Sequence, residues 1–329
     1  MDNLKIKLAT FNLFQFVEPP YAWYTKKDRF NEEQWIEKTA WIKKQILKMD
    51  CDIIGFQEVF SRDALERLVK ELGFEYFETV DMPKIQKKTY LSTTVAIASK
   101  YPITKMQRVK VNISSFEKHD FVGHYAFARV PIKATITLPD QTELVVYVCH
   151  LKSNRLNEFE YRFKEEHDLK HKIESVAKAL KGTKATSLQH RLCEASSLFM
   201  NMKRVKNKPI VLLGDFNDKE FSLAIDALSN PKYHDDESED DLLLQDVAYE
   251  YKEIVDNPHP EAKEPIRKPT SYFLGRGNVL DYIFISKHFD VSNYAVLDEH
   301  LHEHGVDLLL KSDHAQVVCE LTFRKEEGE

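Results

Sequence analysis

Short apolar segments of strand-like length recur along the whole chain, and this recurrence is the feature that most constrains the fold. Clear examples are residues 6–13, 52–59, 93–98, 143–149, 209–213, 279–285 and 315–323. Amphipathic patterns at helical spacing lie between some of them, as in residues 31–48 and 61–73. Short alternating or continuous apolar runs indicate strands, whereas apolar residues three and four apart indicate helices. Many strands with a few helices predict an α/β fold in which helices pack outside sheets.

The same patterns predict further elements and the domain organisation. Residues 108–113 and 123–130 are expected to form two more strands, with Pro131 at the joint that follows. No repeat, low-complexity linker or change in composition divides the 329 residues, so we predict a single domain over 1–329. Residues 156–205 are strongly charged and helical in pattern, and we predict a helical insertion there.

Composition argues against several classes of protein. The formal net charge of −6 disfavours tight, non-specific binding to long nucleic acid, which needs a strongly basic surface. The four cysteines are scattered without a Cys-x-x-Cys pair, which disfavours a zinc finger or a disulfide framework. The first residues lack the pattern of a signal peptide, and no apolar run is long enough to span a bilayer. We therefore expect a cytoplasmic protein without stable membrane association, and we infer no obligate protein partner.

Polar residues follow the apolar segments at once, and they are of the types that bind hard cations or move protons. They are Asn12, Glu58, His150, Asp215, Asp281 and the pair Asp313 and His314. A single Asp after a buried strand usually does no more than end the strand, but so many positions along one chain need another explanation. Because ligands and active sites gather where loops leave a sheet, we predict that these side chains converge on one rim.

These residue types suit a metal-assisted attack on a phosphate ester. Mg²⁺ prefers oxygen ligands, and Glu58 and Asp313 supply carboxylates. Hydrolysis also needs a group that activates water and donors for the phosphoryl oxygens. Asp215 has the chemistry for the first task, and His150 and His314 have the chemistry for the second.

An aromatic loop near Asn12 keeps two interpretations open. Tyr21, Trp23 and Tyr24 follow two prolines, and aromatic side chains in such a place either stack on a base or a sugar, or pack as a lid on the core.

The motifs that carry these residues occur in a fixed order. They are Thr10-Phe11-Asn12, Gly55-Phe56-Gln57-Glu58-Val59, His150-Leu151-Lys152-Ser153-Asn154, Gly214-Asp215-Phe216-Asn217, Leu280-Asp281-Tyr282 and Ser312-Asp313-His314. Together they closely resemble the endonuclease/exonuclease/phosphatase superfamily, and bacterial-type members of it, over almost the whole chain. The resemblance implies a DNase I-like fold: a four-layer α/β/β/α sandwich of two mixed β-sheets flanked by helices, with the site at one edge.

The resemblance also implies a metal site. Glu58 would be the main ligand, with Asn12 and Asp313 as supporting residues of the site, and the metal would be Mg²⁺, with Mn²⁺ as a substitute. Some nucleases of the superfamily place an acidic residue two positions after the first asparagine. This chain has Phe14 there, which favours one catalytic metal over two.

The catalytic roles implied by the resemblance fall on five residues. Asp215 would be the base that activates water, and Asn217 its companion. His150 would stabilise the phosphate or act as an acid. Asp281 would orient His314, and His314 would stabilise the transition state.

Residues that bind substrate are expected just after His150. Lys152 and Arg155 are cations in that segment, and Asn154 stands where some members of the superfamily have an asparagine that contacts phosphate. The expected function is that of a Mg²⁺-dependent phosphodiesterase or nuclease, with a phosphate ester such as nucleic acid as its substrate. Two alternatives stay open: a phosphomonoesterase acting on a small anion such as an inositol or sugar phosphate, and a sphingomyelinase-type phospholipase. The lack of a membrane-inserting segment disfavours the second alternative.

Overall fold

The computed structural model describes residues 4–119, 121, 124–154, 162–182, 186–234, 242–251, 267–305 and 307–324. The strands are β1 (Lys5–Phe16), β2 (Ala22–Trp23), β3 (Ile53–Val59), β4 (Tyr76–Glu78), β5 (Ile85–Gln86), β6 (Thr89–Tyr90), β7 (Thr94–Ser99), β8 (Ile103–Arg108), β9 (Ile132–Thr137), β10 (Glu143–His150), β11 (Ile210–Asp215), β12 (Gln245–Asp246), β13 (Ser271–Phe273), β14 (Arg276–Asn278), β15 (Asp281–Ile285), β16 (Phe289–Leu297) and β17 (Gln316–Phe323). The α-helices are α1 (Glu32–Met49), α2 (Arg62–Glu71), α3 (Ile113–Lys118), α4 (Leu169–Gly182), α5 (Thr186–Lys203), α6 (Leu223–Ser229) and α7 (Val247–Glu250).

Two six-stranded sheets form the centre of the molecule. The first sheet has the strand order β16-β17-β1-β3-β7-β4, and the second sheet has the order β12-β15-β11-β10-β9-β8. Within them, β1 pairs in parallel with β3 and β10 in parallel with β11, while the other pairs are antiparallel. Both sheets are therefore mixed.

The sheets face each other across an apolar layer, and helices cover their outer faces. Leu8 and Ile97 of the first sheet pack in one buried cluster with Val146 and Val211 of the second. Helices α1 and α2 pack on the outside of the first sheet, and α5 and α6 pack on the outside of the second. This arrangement confirms the four-layer α/β/β/α sandwich.

Local sequence explains how closely these layers approach. A side chain at Gly55 in β3 would place its Cβ 2.0 Å from the Leu213 side chain of the opposite sheet. Only glycine leaves room for that contact between the sheets. Helix α1 begins at Asn31, whose side chain accepts a hydrogen bond from the Gln34 amide in a capping box.

Two predicted strands are wrong. In the segment 108–113, Arg108 ends β8, and Asn112 instead caps the start of α3 by accepting a hydrogen bond from Ser115 N. In the segment 123–130, residues 124–130 form no strand, and residue 123 lies outside the described residues. There the amide of Ala128 donates to the Glu194 carboxylate (2.6 Å). A side chain of α5 thus takes the backbone donor that a sheet neighbour would have taken.

Helices α4 and α5 fall in the segment 156–205. Helix α5 is a buried part of the outer layer on the second sheet, with Leu192 and Phe199 in its core. Residues 155–161 and 183–185 lie outside the described residues, and the division of the chain into one domain with an insertion stays a prediction. No helix in the described part of the chain has the length and apolar character needed to cross a membrane.

Candidate active site

The predicted residues lie at one edge of the sandwich because six strands reach that edge. Strands β1, β3, β10 and β11 end there, while β15 and β17, which run antiparallel to their neighbours, begin there. In the second sheet His150 is paired with Asp215, and Asp215 with Asp281. The two sheets meet where Asn12 Nδ2 donates to Asp215 Oδ2 (3.1 Å). Convergence on one rim, expected from the strand ends, is therefore present.

Asp215 is buried at the centre of a set of donors. Its Oδ1 accepts from the Asn217 amide (2.8 Å), and its Oδ2 lies 3.3 Å from His150 Nε2 and 4.0 Å from His314 Nε2. Burial raises the pKa of Asp215 to about 7, and the nearby Asp281 carboxylate adds to this rise while His314 opposes it. A carboxylate with a pKa near neutrality can take a proton from water under ordinary conditions.

His314 is bound to a second carboxylate. Its Nδ1 lies 2.7 Å from Asp281 Oδ2, and both side chains are buried. Burial disfavours the charged ring, but the carboxylates of Asp281 and Asp215 outweigh it and raise the pKa of His314 well above its usual value. His314 is therefore an imidazolium with one nitrogen held by Asp281 and the other directed towards Asp215.

His150 has the opposite character. Burial lowers its pKa well below the usual value, and the positive charges of Arg129 and His314 act in the same direction. The ring is neutral, with Nε2 near Asp215 and with a buried Nδ1 that has no hydrogen-bond partner. Two histidines with separated pKa values beside one carboxylate mark a site that handles protons.

Glu58 and Asp313, which we call the acid pair, lie on the side of the first sheet. Glu58 Oε2 accepts a hydrogen bond from the Gln15 amide (2.9 Å). Desolvation raises the pKa of Glu58, and the neighbouring Asp313 carboxylate raises it further. Desolvation likewise raises the pKa of Asp313, whose Oδ1 is buried without a hydrogen-bond partner among the described residues and lies 4.0 Å from His314 Nε2. In both acids desolvation outweighs the nearby positive charges, that of His314 above all.

Oxygen donors of this kind fit a hard divalent cation. The unpartnered Asp313 Oδ1 and the crowding of Glu58 and Asp313 are the observations that support this fit. Among the described residues, Asp215, Asp281 and His314 form a second group whose ligand atoms lie within 4.8 Å of one another. In that group Asp281 and His314 already bind each other, so it offers fewer free lone pairs than the acid pair.

Asn12 uses both ends of its amide. Its Oδ1 accepts from the Phe14 amide (3.0 Å), and its Nδ2 donates to Asp215 (3.1 Å). The oxygen retains one free lone pair, so a role in a cation site stays a prediction. What the structure adds is a direct link from the first sheet to the Asp215 carboxylate.

Asn217 and the segment after His150 form the wall of the site. Asn217 has a left-handed backbone (φ 51°), and its Nδ2 donates to Leu151 O (3.0 Å). The backbone of Lys152 is held by α5, since its amide donates to Glu194 Oε2 (2.6 Å) and its carbonyl accepts from Arg191 (3.2 Å). Asn154 is exposed, and Arg155 lies outside the described residues.

Arg129 is a cation of the site that the sequence did not indicate. Its guanidinium donates to Leu151 O and to Ser153 Oγ, each at 3.1 Å. Its charge also lowers the pKa of His150 and that of Glu58, so it lies within reach of both. The signal was hidden because the segment around Arg129 has the alternation of a strand.

In the aromatic loop, Trp23 packs on the core, whereas Tyr24 is free to stack on a base or a sugar. Trp23 is buried and packs against Phe30, with ring centroids 4.9 Å apart, so it belongs to the core. Tyr24 is 49% exposed, and its hydroxyl interacts with Arg129 near Glu58. Of these two side chains, only Tyr24 is exposed where a substrate would contact it.

Comparison with protein families gives a single assignment. The family model described as "Endonuclease/Exonuclease/phosphatase family" matches residues 9–314, a span that runs from before Asn12 to His314 and so contains every residue of the candidate site. The chain belongs to this family. It is accordingly a phosphoric ester hydrolase. No curated protein matched the chain in a sequence comparison.

Solved structures of low sequence identity share the fold. The catalytic domain of human Nocturnin with bound sulfate is 17% identical, covers 98% of this chain and 96% of its own, and has a TM-score of 0.58. A family protein from Bacteroides vulgatus is 16% identical with coverage of 98% and 100% and a TM-score of 0.58. D. rerio TDP2 complexed with a single-strand DNA product is 11% identical with coverage of 97% and 99% and a TM-score of 0.58.

Proposed function

We propose that the protein is a Mg²⁺-dependent phosphodiesterase that cuts nucleic acid by activating water at phosphorus. The observation that carries the proposal is that a general base and a positively charged side chain lie side by side. Buried Asp215, with a pKa of about 7, lies 4.0 Å from the charged ring of His314. Attack on a phosphodiester needs both, because a proton must leave the water while charge builds up on the phosphoryl oxygens.

Each residue then has one task. Asp215 takes the proton of the attacking water, and Asn12, His150 and Asn217 hold its carboxylate in place. The backbone amide of Asn217 and the side-chain amide of Asn12 donate to that carboxylate, and the neutral ring of His150 lies 3.3 Å from it, so together they keep its free lone pairs directed at the water. Asp281 holds His314 charged, and His314 Nε2 donates to a phosphoryl oxygen.

Glu58 and Asp313 would hold the Mg²⁺, with Asn12 in support. When bound, the cation supplies charge neutralisation at the phosphoryl group. Mn²⁺ has similar ligand preferences and would replace it.

Arg129 and Lys152 are the residues proposed to bind the phosphate backbone of the substrate, together with Asn154 and Arg155. Arg129 is already oriented by Leu151 and Ser153, and a guanidinium oriented in this way suits a phosphate. Exposed Tyr24 beside it offers a ring on which a base can stack. A local cationic and aromatic rim of this kind supports nucleic acid as substrate despite the net charge of −6.

The test compares bis(p-nitrophenyl) phosphate with p-nitrophenyl phosphate, each in Mg²⁺ and in EDTA. We expect hydrolysis that favours the diester, stops in chelator and returns with Mg²⁺ or Mn²⁺. A panel of single-stranded DNA, duplex DNA, RNA and inositol phosphates then identifies the natural class. Preference for the monoester would replace the proposal with a phosphomonoesterase, and full activity in EDTA would refute the metal mechanism.

A further inference from the structure

Lys38 is a fully buried lysine that none of the proposed catalytic steps uses. It lies on α1, and its side chain is among the largest that are completely shielded from solvent. Its Nζ lies 2.8 Å from each of three backbone carbonyl oxygens, those of Phe14, Leu309 and Lys311. Three acceptors require three N–H donors, so this geometry fits the ammonium form, although burial lowers the pKa of Lys38 to about 7.

The three carbonyls belong to the two segments that position the acid pair. Phe14 precedes Gln15, whose amide donates to Glu58 Oε2. Leu309 and Lys311 come just before Asp313 in the chain, and the hydroxyl of Ser312, directly before Asp313, donates to Asn12 O (2.7 Å). Lys38 therefore holds together the end of β1 and the approach to β17.

The backbone at the first of these segments needs such support. Phe14 and Gln15 have φ angles of 47° and 61°, and Glu58 opposite them has 59°, all in the left-handed region that costs energy for residues with a Cβ. The pairing of β1 with β3 shifts register between Asn12 and Phe16. A strained bulge persists only where surrounding contacts fix it, and the bond from Lys38 to Phe14 O is such a contact.

We propose that Lys38 is a positioning residue for the acid pair, whose ammonium group fixes both backbone segments so that Glu58 and Asp313 are in place before a cation arrives. This inference rests on the proposed function, in which these two acids hold Mg²⁺. Lys38 itself does not touch the substrate or the reacting atoms. A buried lysine that joined two unrelated segments would have only a structural role. Here both segments, the end of β1 and the approach to β17, position the acid pair.

Removing Lys38 has two opposite effects on cation binding, since it removes a positive charge and also frees the acid pair to move. Whether cation affinity rises or falls in a Lys38 variant therefore tests the proposal. Lys38 lies near Glu58 and Asp313, and its positive charge lowers the pKa of Asp313. Removing that charge alone would strengthen the binding of a divalent cation. Losing the positions of the acids would weaken it by about 10–100-fold, as is typical for residues that support metal ligands.

The experiment measures Mn²⁺ affinity by calorimetry in the whole protein and in Lys38→Met. The matched control is Lys172→Met, since Lys172 is a buried lysine (7% exposed) on α4 that binds Asp226 (2.9 Å) away from the site. We expect a weakening of about 10–100-fold in Lys38→Met and none in Lys172→Met. Unchanged or stronger Mn²⁺ binding in Lys38→Met would overturn the proposal. If that variant does not fold, Lys38→Gln keeps two of the three donors and must still bind Mn²⁺ more weakly than the wild-type protein.

Hydrogen exchange without any cation separates this inference from the proposed function. We expect the amides of Gln15 and His314 to exchange faster in Lys38→Met than in Lys172→Met, because their segments lose a shared anchor. If the wild-type protein binds no Mn²⁺, the proposed cation site is wrong, and the exchange data still decide whether Lys38 fixes the two segments. Equal protection of these amides in both variants would refute that role.

Discussion

The two sides of the site satisfy their polar groups in different ways. On the side of the second sheet, side chains bind one another: Asp215 accepts hydrogen bonds from Asn12 and Asn217 and lies 3.3 Å from His150, and Asp281 binds His314. On the side of the first sheet, the acid pair accepts at most backbone hydrogen bonds among the described residues, and Asp313 Oδ1 has no hydrogen-bond partner there, although it lies 4.0 Å from His314 Nε2.

This difference separates two kinds of chemistry. A carboxylate that several donors hold in place keeps a fixed direction and a tuned pKa, and its remaining lone pair suits proton transfer. Crowded carboxylates with free lone pairs are costly until a cation binds them, which suits a metal site. Three variants test whether substitutions on the side of the second sheet affect turnover alone, and substitutions on the side of the first sheet affect cation binding.

The largest effect is expected from Asp215→Asn. The amide cannot accept the proton of the attacking water, so kcat should fall by about 10²–10⁴-fold. Mn²⁺ affinity should stay unchanged, because the proposed ligands lie on the other side. Assays with bis(p-nitrophenyl) phosphate and calorimetry measure the two quantities.

The control for this variant is Asp246→Asn, which alters a buried carboxylate that binds Arg267 (2.6 Å) outside the site. It should lose stability and keep its turnover. A loss of Mn²⁺ affinity in Asp215→Asn would move the cation to the group of Asp215, Asp281 and His314, and the separation of the two sides would be wrong.

A smaller effect on turnover is expected from Glu58→Gln. The substitution removes one charge of the acid pair, and Mn²⁺ affinity should fall by about 100-fold. Raising the Mn²⁺ concentration should restore much of the rate, because Asp215 and His314 are untouched. Glu194→Gln is the control for cation binding, since Glu194 is a buried carboxylate that holds the backbone amides of Ala128 and Lys152, and its loss should leave Mn²⁺ affinity unchanged. A rate that Mn²⁺ cannot restore would place Glu58 in the chemical step.

The smallest effect is a change in the pH profile of Asp281→Asn. In the wild-type protein kcat/KM should rise with pH as Asp215, with a pKa of about 7, loses its proton. It should fall again at high pH, where His314 loses its proton. Without the Asp281 carboxylate the pKa of His314 drops, so the falling limb should move to lower pH. A shift of about one to two units corresponds to the loss of one charge-assisted hydrogen bond.

The pair formed by exposed His302 and buried Asp298 (3.0 Å) provides the control for this profile. Asp298→Asn removes a carboxylate from a histidine in the same way but outside the site, and the pH profile should not change. An unmoved falling limb in Asp281→Asn would mean that the protonation of His314 does not limit the reaction.

The sequence predicted those parts of the molecule that depend on local pattern. The strands that carry the site appear in order, since each is a compact apolar run with a polar site residue near one of its ends. The family and the fold class are confirmed as well, because the ordered motifs leave few other solutions. The individual catalytic, metal and substrate-binding roles stay predictions.

Residues whose roles depend on distant neighbours were missed. In the sequence Lys38 is one of several lysines on an amphipathic helix, and nothing nearby indicates that carbonyls from residues 14, 309 and 311 surround it. Glu194 likewise reads as an ordinary helical position, although it holds the backbone of Ala128 and Lys152. Such roles arise only when the layers pack, so patterns of a single segment cannot contain them.

The position of β17 has a consequence for the order in which the protein becomes active. This strand lies between β1 and β16, and it leaves the ribosome after every other strand of the described residues. Until it pairs, Asp313 and His314 have no fixed place, although Asp215 and Glu58 have long been synthesised. A nascent chain therefore carries an incomplete candidate site until β17 has been synthesised and has paired with β1.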